Sequence, residues 1–383
     1  MRVFIASEFR CTVYNGEYYL ASKAYTIYKR YAENFGEVVL CSRFVKTEKI
    51  NDGYHRAYFI KETLPITNLS NVLTGLYDTK IRKLLLSCNL VIVRVPSIIA
   101  YSAAEIAISN GVTLLAEAMG DPWDAYWNHG IKGKLIAPYM TFKMKSVMSR
   151  ANYAVYVTKE YLQKMYPCKG LNISASNVVL EKLEEVILKK RLQKISETSK
   201  KNISLMTAAG INVKAKGHRY VIEAIRKLKE KNIRVEYYLA GEGSSKYLKG
   251  IAKEFGVEDN VIFLGALPMQ KVYEYMDIID IYIQPSLQEG LPRAVIEAMS
   301  RACPCLGART AGIPELLDEE CVFERKSSDA IVSAVTRMLE DDMSKYARNN
   351  FERSKEYYKD VLDQRRNSFF EQIKRDINKK GLK

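Results

Sequence analysis

The chain has 383 residues, enough for two domains of ordinary size. With 48% hydrophobic and 27% charged residues it has the make-up of a folded globular protein, which excludes collagen-like, disordered and disulfide-scaffold classes. A net charge of +15 favours anionic partners: nucleic acid, phospholipid headgroups or phosphorylated small molecules.

The opening Met1-Arg2-Val3-Phe4-Ile5-Ala6 is too short an apolar run for a secretory signal and reads as a first buried strand, Val3–Ala6. Tyr25, Tyr28, Ala32 and Phe35 fall at helical spacing and predict a helix over Tyr18–Phe35; Val38–Cys41 follows as a strand. Leu90–Val95, apolar except for Arg94, reads as a buried strand, and no stretch approaches the roughly 20 apolar residues of a membrane span. Ala103–Ser109 reads as a helix stopped by Asn110-Gly111, and Val112–Ala116 as the next strand. Glu181–Lys201, dense in Lys, Arg and Glu, reads as an exposed helix or helical linker. The alternation then restarts: strands Ile203–Thr207, Val235–Ala240, Val261–Leu264 and Ile281–Gln284, helices Tyr220–Glu230, Ser245–Phe255, Val272–Met276 and Arg293–Ser300. A polar, basic helical tail runs over Ala330–Lys383. Strand–helix alternation implies parallel sheets covered on both faces, in two α/β halves joined near residue 190. Seven scattered cysteines predict reduced core thiols; Cys303-x-Cys305 lacks zinc-site spacing.

The stretch Gln284–Met299 carries the most chemistry. It leaves a buried strand, turns through Gly290 and enters a helix near Pro292, where proline is tolerated because its missing N–H has no helical acceptor. In open α/β sheets ligands bind outside the carboxyl ends of strands, and a helix start there suits phosphate. Glu289 in the loop and Glu297 in the helix can point into one crevice from different backbone elements; taken bare, they equally fit two surface glutamates.

The neighbouring residues add to this. Glu289 and Glu297 stand in a Glu-x7-Glu pattern inside Pro285-Ser286-x-x-Glu289-Gly290-Leu291-Pro292 and Glu297-Ala298-Met299. Thr310-Ala311-Gly312-Ile313-Pro314-Glu315 follows; upstream lie Gly210, Lys216-Gly217, Leu239-Ala240-Gly241-Glu242-Gly243 and Val261-Ile262-Phe263-Leu264-Gly265. In these blocks, over roughly residues 203–320, the sequence resembles the retaining glycosyltransferases of family 4. The N-terminal half is similar to a subset from bacterial surface-polysaccharide assembly through Asn15-Gly16-x-Tyr18-Tyr19, Arg94-x-Pro96-Ser97 and Gly120-Asp121-Pro122-Trp123-Asp124.

The resemblance implies the α/β GT-B fold: two Rossmann-like domains with parallel sheets facing across a cleft. Residues 1–190 would bind the acceptor, 191–360 the nucleotide sugar, and the helix over 361–383 would pack back on the N-terminal domain. It implies Lys216 as the cation on the departing diphosphate, Glu289 beside the donor sugar and Glu297 on the ribose hydroxyls. Gly290 and Leu291 would contact sugar or phosphate through their N–H groups. Gly210, Gly243 and Leu267 would flank the nucleotide, and Asn15 with Gly16 would form the glycine loop near the diphosphate. The family often carries arginine where Ile211 stands, so a second cation has to come from elsewhere, with Lys214 and Arg293 as candidates, or is absent. Many members carry a histidine where Gly120 stands; Asp121 is the candidate for orienting the acceptor hydroxyl, and His129 is placed on the acceptor side. His55 and His218 are expected to be structural or exposed. No Asp-x-Asp occurs, which fits charge neutralisation by lysine and helix dipole, with no metal or other cofactor.

The expected activity is metal-independent, retaining transfer of a sugar, with a UDP-sugar as donor. The acceptor is a glycan or polyprenyl-linked oligosaccharide in capsule, O-antigen or exopolysaccharide synthesis. Competing readings are a GT-B sugar-nucleotide 2-epimerase and an inactive glycan-binding subunit. Nucleic acid is not an expected partner, since no helix-turn-helix, zinc or aromatic–basic sheet motif accompanies the charge. The segment Ile131–Arg150 holds Lys132, Lys134, Lys143, Lys145 and Arg150 with no acid among apolar residues. It fits peripheral contact with an anionic membrane, on the cytoplasmic face of the inner membrane, or a core helix with a solvated basic face.

Overall fold

The computed structural model describes residues 1–127 and 130–380. The chain divides into two compact units, one of residues 1–175 with 363–383, the other of residues 176–362.

The first unit is built on one mixed sheet. Its parallel part runs Ile60–Ile66, Glu37–Lys46, Arg2–Tyr14, Leu90–Val95, Leu114–Ala118, Tyr153–Tyr156, Leu171–Ser174. Leu90–Val95 is buried along its whole length, as a strand covered on both faces must be. Arg94 is tolerated there because it pairs at 3.2 Å with Glu117, its register partner on the next strand.

The opening strand is longer than its apolar run predicts. Its register slips between Ala6 and Arg10, and the strand continues to Tyr14 before turning into Glu17–Ala21, which pairs antiparallel with it. Tyr18–Ala21, expected to begin a helix, is therefore strand, and the helix is Ser22–Phe35. That helix buries Tyr28, Tyr31 and Phe35 in a core that also holds Phe369, Phe370 and Ile373 of the last helix, Lys359–Lys380. The Phe35 and Phe370 rings lie 5.1 Å apart, which is why the end of the chain belongs to this unit.

The second unit has a six-stranded, wholly parallel sheet in the order Val261–Gly265, Arg234–Ala240, Asn202–Ala208, Ile281–Gln284, Cys305–Ala308, Val322–Phe323. In chain order this is 3-2-1-4-5-6, the doubly wound arrangement, with its switch point between Asn202–Ala208 and Ile281–Gln284.

Glu181–Lys201 contains a largely exposed helix, as its sequence suggests, over Val186–Glu197. It is anchored to this unit by two residues: Arg191 is buried and donates to the carbonyls of Ile279 and Met276, and Lys194 pairs with Asp280. The supposed tail from Ala330 is likewise two further helices of this unit, Ser328–Glu340 and Met343–Ser354, before the last helix begins. The boundary read near residue 190 falls at 175/176. All seven cysteines are free thiols, and six are buried.

Candidate functional site

Two loops meet at the switch point of the second sheet. One follows Asn202–Ala208 and ends in the 3-10 turn Lys214–Lys216; the other follows Ile281–Gln284 and runs to Pro292, where the helix Arg293–Ser300 starts. Gly217 adopts φ +72°, and a Cβ there would lie 2.0 Å from the Pro285 carbonyl oxygen. Only glycine allows both that dihedral and that approach. The Leu287 N–H donates to the Ala215 carbonyl at 2.8 Å, closing the loops on each other.

This closure sets Lys216 against Glu289, Nζ to Oε1 at 2.7 Å. Gln284, buried at the end of its strand, donates from Nε2 to the same Oε1 at 3.2 Å and to Ser286 Oγ at 2.8 Å. Its Oε1 accepts from the Tyr282 hydroxyl at 2.7 Å, which in turn accepts from the Ala208 N–H at 3.2 Å. The second loop is also propped from behind: Thr310 Oγ1 donates to the Ser286 carbonyl at 2.8 Å and the Gly312 N–H to the Gly290 carbonyl at 2.9 Å. Both bonds at Glu289 go to Oε1, so Oε2 keeps its accepting capacity.

Glu297 is 6% exposed, and its carboxylate makes no hydrogen bond among the described residues. Burial pushes its pKa above the ordinary carboxylate range, opposed by the Arg293 guanidinium one turn earlier. Burial pushes the Tyr282 phenol well up, and the charges of Glu297 and Glu289 add to this.

The other donor-side positions lie on neighbouring loops at the same sheet edge. The Gly210 carbonyl is 3.3 Å from Nε2 of His218, whose ring is buried and whose pKa is pushed down to about 4 by desolvation, with the Lys216 charge adding to it. His218 Nδ1 lies 3.3 Å from the Tyr237 hydroxyl. Gly243 has φ +112°, where a Cβ would meet Asn212 Oδ1 at 2.4 Å. Leu267 is half-buried just beyond Gly265, whose carbonyl accepts from the Gly241 N–H at 2.8 Å. Leu291 is buried, Gly290 partly so. Ile211 is buried; Lys214 and Arg293 are exposed, and Lys214 Nζ sits 4.9 Å from the centroid of the Tyr247 ring.

The residues expected on the acceptor side fare differently. Asn15 and Gly16 have φ +48° and +77° and form the two-residue turn of the hairpin Arg2–Tyr14/Glu17–Ala21. Two positive φ values in an Asn-Gly pair are the geometry of a hairpin turn, so this is not a loop closing the core strand. The chain leaves the core register after Ala6 instead, and Glu8 follows it, its Oε1 accepting from the Ile98 N–H at the start of the helix Ile98–Ser109 at 2.8 Å. Asp121 is 4% exposed and its oxygens accept from the Trp123 N–H at 2.8 Å and the hydroxyls of Tyr161 and Tyr166 at 2.8 and 2.6 Å. That is the environment of a helix cap locked by two phenols. His129 lies outside the described residues.

Sequence reasoning missed Gln284 and Glu8. A glutamine closing an otherwise apolar strand was the available signal for the first; Glu8 gave none, because the strand's continuation past Ala6 is not visible in the apolar pattern.

Residues 189–356 match the family model for glycosyl transferases group 1. Over 370 residues the chain is 27% identical to Protein CapJ of Staphylococcus aureus, covering 88% of this chain and 86% of that protein. It is 29% identical over 159 residues to the amylovoran biosynthesis glycosyltransferase AmsK of Erwinia amylovora, 40% of this chain and 37% of that one. Its fold matches the crystal structure of Anabaena Alr3699/HepE in complex with UDP with a TM-score of 0.64 at 14% identity, over 97% of this chain and 100% of that one. The fold class is α/β GT-B, with one Rossmann-like parallel sheet system in each unit.

Proposed function

We propose that the protein is a retaining, metal-independent glycosyltransferase of family 4. It takes a sugar from a UDP-sugar and transfers it to a glycan or polyprenyl-linked oligosaccharide in bacterial surface-polysaccharide assembly. The observation that carries this reading is the Lys216–Glu289 pair at the switch point of the second sheet, within the segment that matches the group 1 glycosyl transferase model. HepE, which shares the fold, was crystallised in complex with UDP, and AmsK is a glycosyltransferase of amylovoran biosynthesis; both support the substrate classes.

In this reading Lys216 and the N–H groups of Gly290 and Leu291 at the helix start hold the diphosphate as its charge grows, the task of a preorganised donor set. Glu297 accepts from the ribose hydroxyls; its buried carboxylate is already stripped of water. Glu289 offers Oε2 to the donor sugar while Lys216 and Gln284 fix Oε1. Gly210, Gly243 and Leu267 flank the nucleotide, and Lys214 or Arg293 supplies the second cation. The acceptor hydroxyl attacks the anomeric carbon on the face the phosphate leaves. The carbon–phosphate-oxygen bond breaks, the new glycosidic bond forms, and the departing phosphate oxygen takes the hydroxyl proton. No strong protein base is required. This substrate class puts the reaction in the cytoplasm, at the inner membrane.

The test is turnover of an α-linked UDP-sugar in EDTA, with the product anomer assigned by NMR. An α-linked product is expected. A β-linked product, or activity lost in EDTA and restored by Mn²⁺, overturns the reading.

A further inference from the structure

The helix Gly130–Arg150 is apolar on two opposite faces. At about 100° per residue, Gly133, Ala137, Met140, Met144, Val147 and Met148 share one face, and all six are buried. Ile131, Leu135, Pro138, Tyr139 and Phe142 share the opposite face, and that face is open: Ile131 is 81% exposed, Leu135 78% and Phe142 67%. Core packing accounts for the first set and leaves the second without a structural role.

Charge borders this open stripe. Lys132 lies on one flank, Lys134 and Lys145 on the other, all three exposed, and no acid occurs from residue 130 to 150. Lys143, the cation expected to face an anionic surface, is instead paired with Glu105 on the neighbouring helix at 2.6 Å. Beside the helix start, Trp123 and Trp127 stack with ring centroids 4.7 Å apart, both over a third exposed, and Lys134 Nζ sits 5.5 Å from the Trp127 centroid.

We propose that this face is an insertion edge that docks the protein on an anionic lipid surface, burying the Ile131–Phe142 stripe and the tryptophan pair at the headgroup–acyl boundary. The inference stands on exposure and charge and is independent of the reaction proposed above. Apolar side chains between lysines, with tryptophans alongside, match the layering of that boundary, where indole rings settle and lysine stems reach back to phosphates. A second copy is disfavoured as occupant, because it would set Lys132, Lys134 and Lys145 against like charges under a net +15 on each chain. Among the described residues no helix is long and apolar enough to cross a membrane, so the contact lies on the surface.

The chain has two tryptophans, and both are in this patch, so intrinsic fluorescence reports on it directly. With phosphatidylcholine vesicles containing about 30% phosphatidylglycerol, the emission is expected to shift to the blue and to be quenched by acyl-chain-brominated lipid. Leu135→Ser with Phe142→Ser, both outside the core, is expected to weaken partitioning at least about tenfold at unchanged melting temperature. Lys134→Glu with Lys145→Glu is expected to weaken binding to the anionic vesicles more than to pure phosphatidylcholine. Vesicle binding without quenching and without loss in the serine variant would mean adsorption by charge alone and overturns insertion. A dimer in lipid-free buffer that the serine variant converts to monomer makes the face a contact between copies, and overturns it as well.

Discussion

Lys216 and Glu289, 73 residues apart in sequence, form an ion pair 2.7 Å long at the switch point of the second sheet. The lysine that would hold the diphosphate is thus already neutralised, by the carboxylate that would hold the sugar. Binding a nucleotide then means sharing Lys216 with Glu289. Glu289→Gln removes that competition at little steric cost, so UDP affinity is expected to rise, by up to about tenfold, given the usual worth of a charged hydrogen bond. Turnover of the sugar nucleotide is expected to fall, because the sugar loses its charged partner. Lys216→Ala is expected to lower both, with kcat down about 100-fold or more. Calorimetry with UDP and a coupled UDP-release assay separate the two. A Glu289→Gln protein with weakened UDP binding and normal kcat would place the carboxylate on the nucleotide and not on the sugar.

Glu297 gives a pH signature. Burial holds its pKa above the ordinary carboxylate range, so part of the population is protonated at higher pH than a surface glutamate would be. Ribose hydroxyls bind the ionised form, so UDP affinity is expected to fall as pH drops through that raised pKa, and binding in this range should release protons. Glu297→Gln is expected to bind UDP more weakly, by about 1.5–3 kcal/mol, and without the acid limb. Calorimetry in two buffers of different ionisation enthalpy reads the proton release. An acid limb that persists in Glu297→Gln assigns it to another group.

His218 makes a prediction about stability. Its native pKa of about 4 lies below the unfolded value near 6.5, so the unfolded chain takes up the proton first as pH falls. Its penalty is absent above about pH 6.5, grows between about 6.5 and 4, and is complete below about 4, at no more than about 3 kcal/mol. Denaturant titrations of wild type and His218→Gln between pH 7 and 4 check this. The variant is expected to lose less stability on acidification. Parallel pH curves would mean that the ring titrates alike in the folded and unfolded chain, and that burial does not hold its proton affinity down.

The position of the switch-point loop was legible in the sequence because its parts are local. Glu289, Gly290, Pro292 and Glu297 lie on one strand–loop–helix unit, and chain order sets that unit at a sheet edge. Lys216 was reached only through the family resemblance, since nothing in its own loop's pattern points to Glu289, 73 residues away. What failed depended on contacts that periodicity does not record. Arg191 anchors its largely exposed helix through carbonyl groups, an attachment that the apolar pattern does not show. Tyr18 and Tyr25 are seven apart, which suits a helix, yet Asn15-Gly16 had already turned the chain into a second strand; those two residues were the stronger signal. The helix Gly130–Arg150 carries apolar residues on both faces, and sequence alone could not say which face is packed.

Asp121 is where geometry and the expected role part most sharply. With Gly120 where many family members carry a histidine, Asp121 is the sequence candidate for orienting the acceptor hydroxyl; the structure encloses it among Trp123, Tyr161 and Tyr166. Burial drives the Tyr166 phenol up first, and its bond to Asp121 adds to this, so the phenol remains a donor and the carboxylate remains its acceptor. Two such phenols and a backbone N–H leave the carboxylate about one accepting site of its four. Asp121→Asn keeps the shape but weakens the charge-assisted bonds, so the expected cost is about 1–3 kcal/mol of stability. For a unit of this size that lowers Tm by several degrees, at about 2–4 °C per kcal/mol. The kcat per folded molecule is expected to stay within about threefold, since a cap positions a helix and transfers no proton in the reaction. Calorimetric melting and kcat measured on the same preparation decide between the roles. A variant that melts like wild type and turns over 100-fold or more slower would return Asp121 to the reacting centre, at the level general base catalysis supplies.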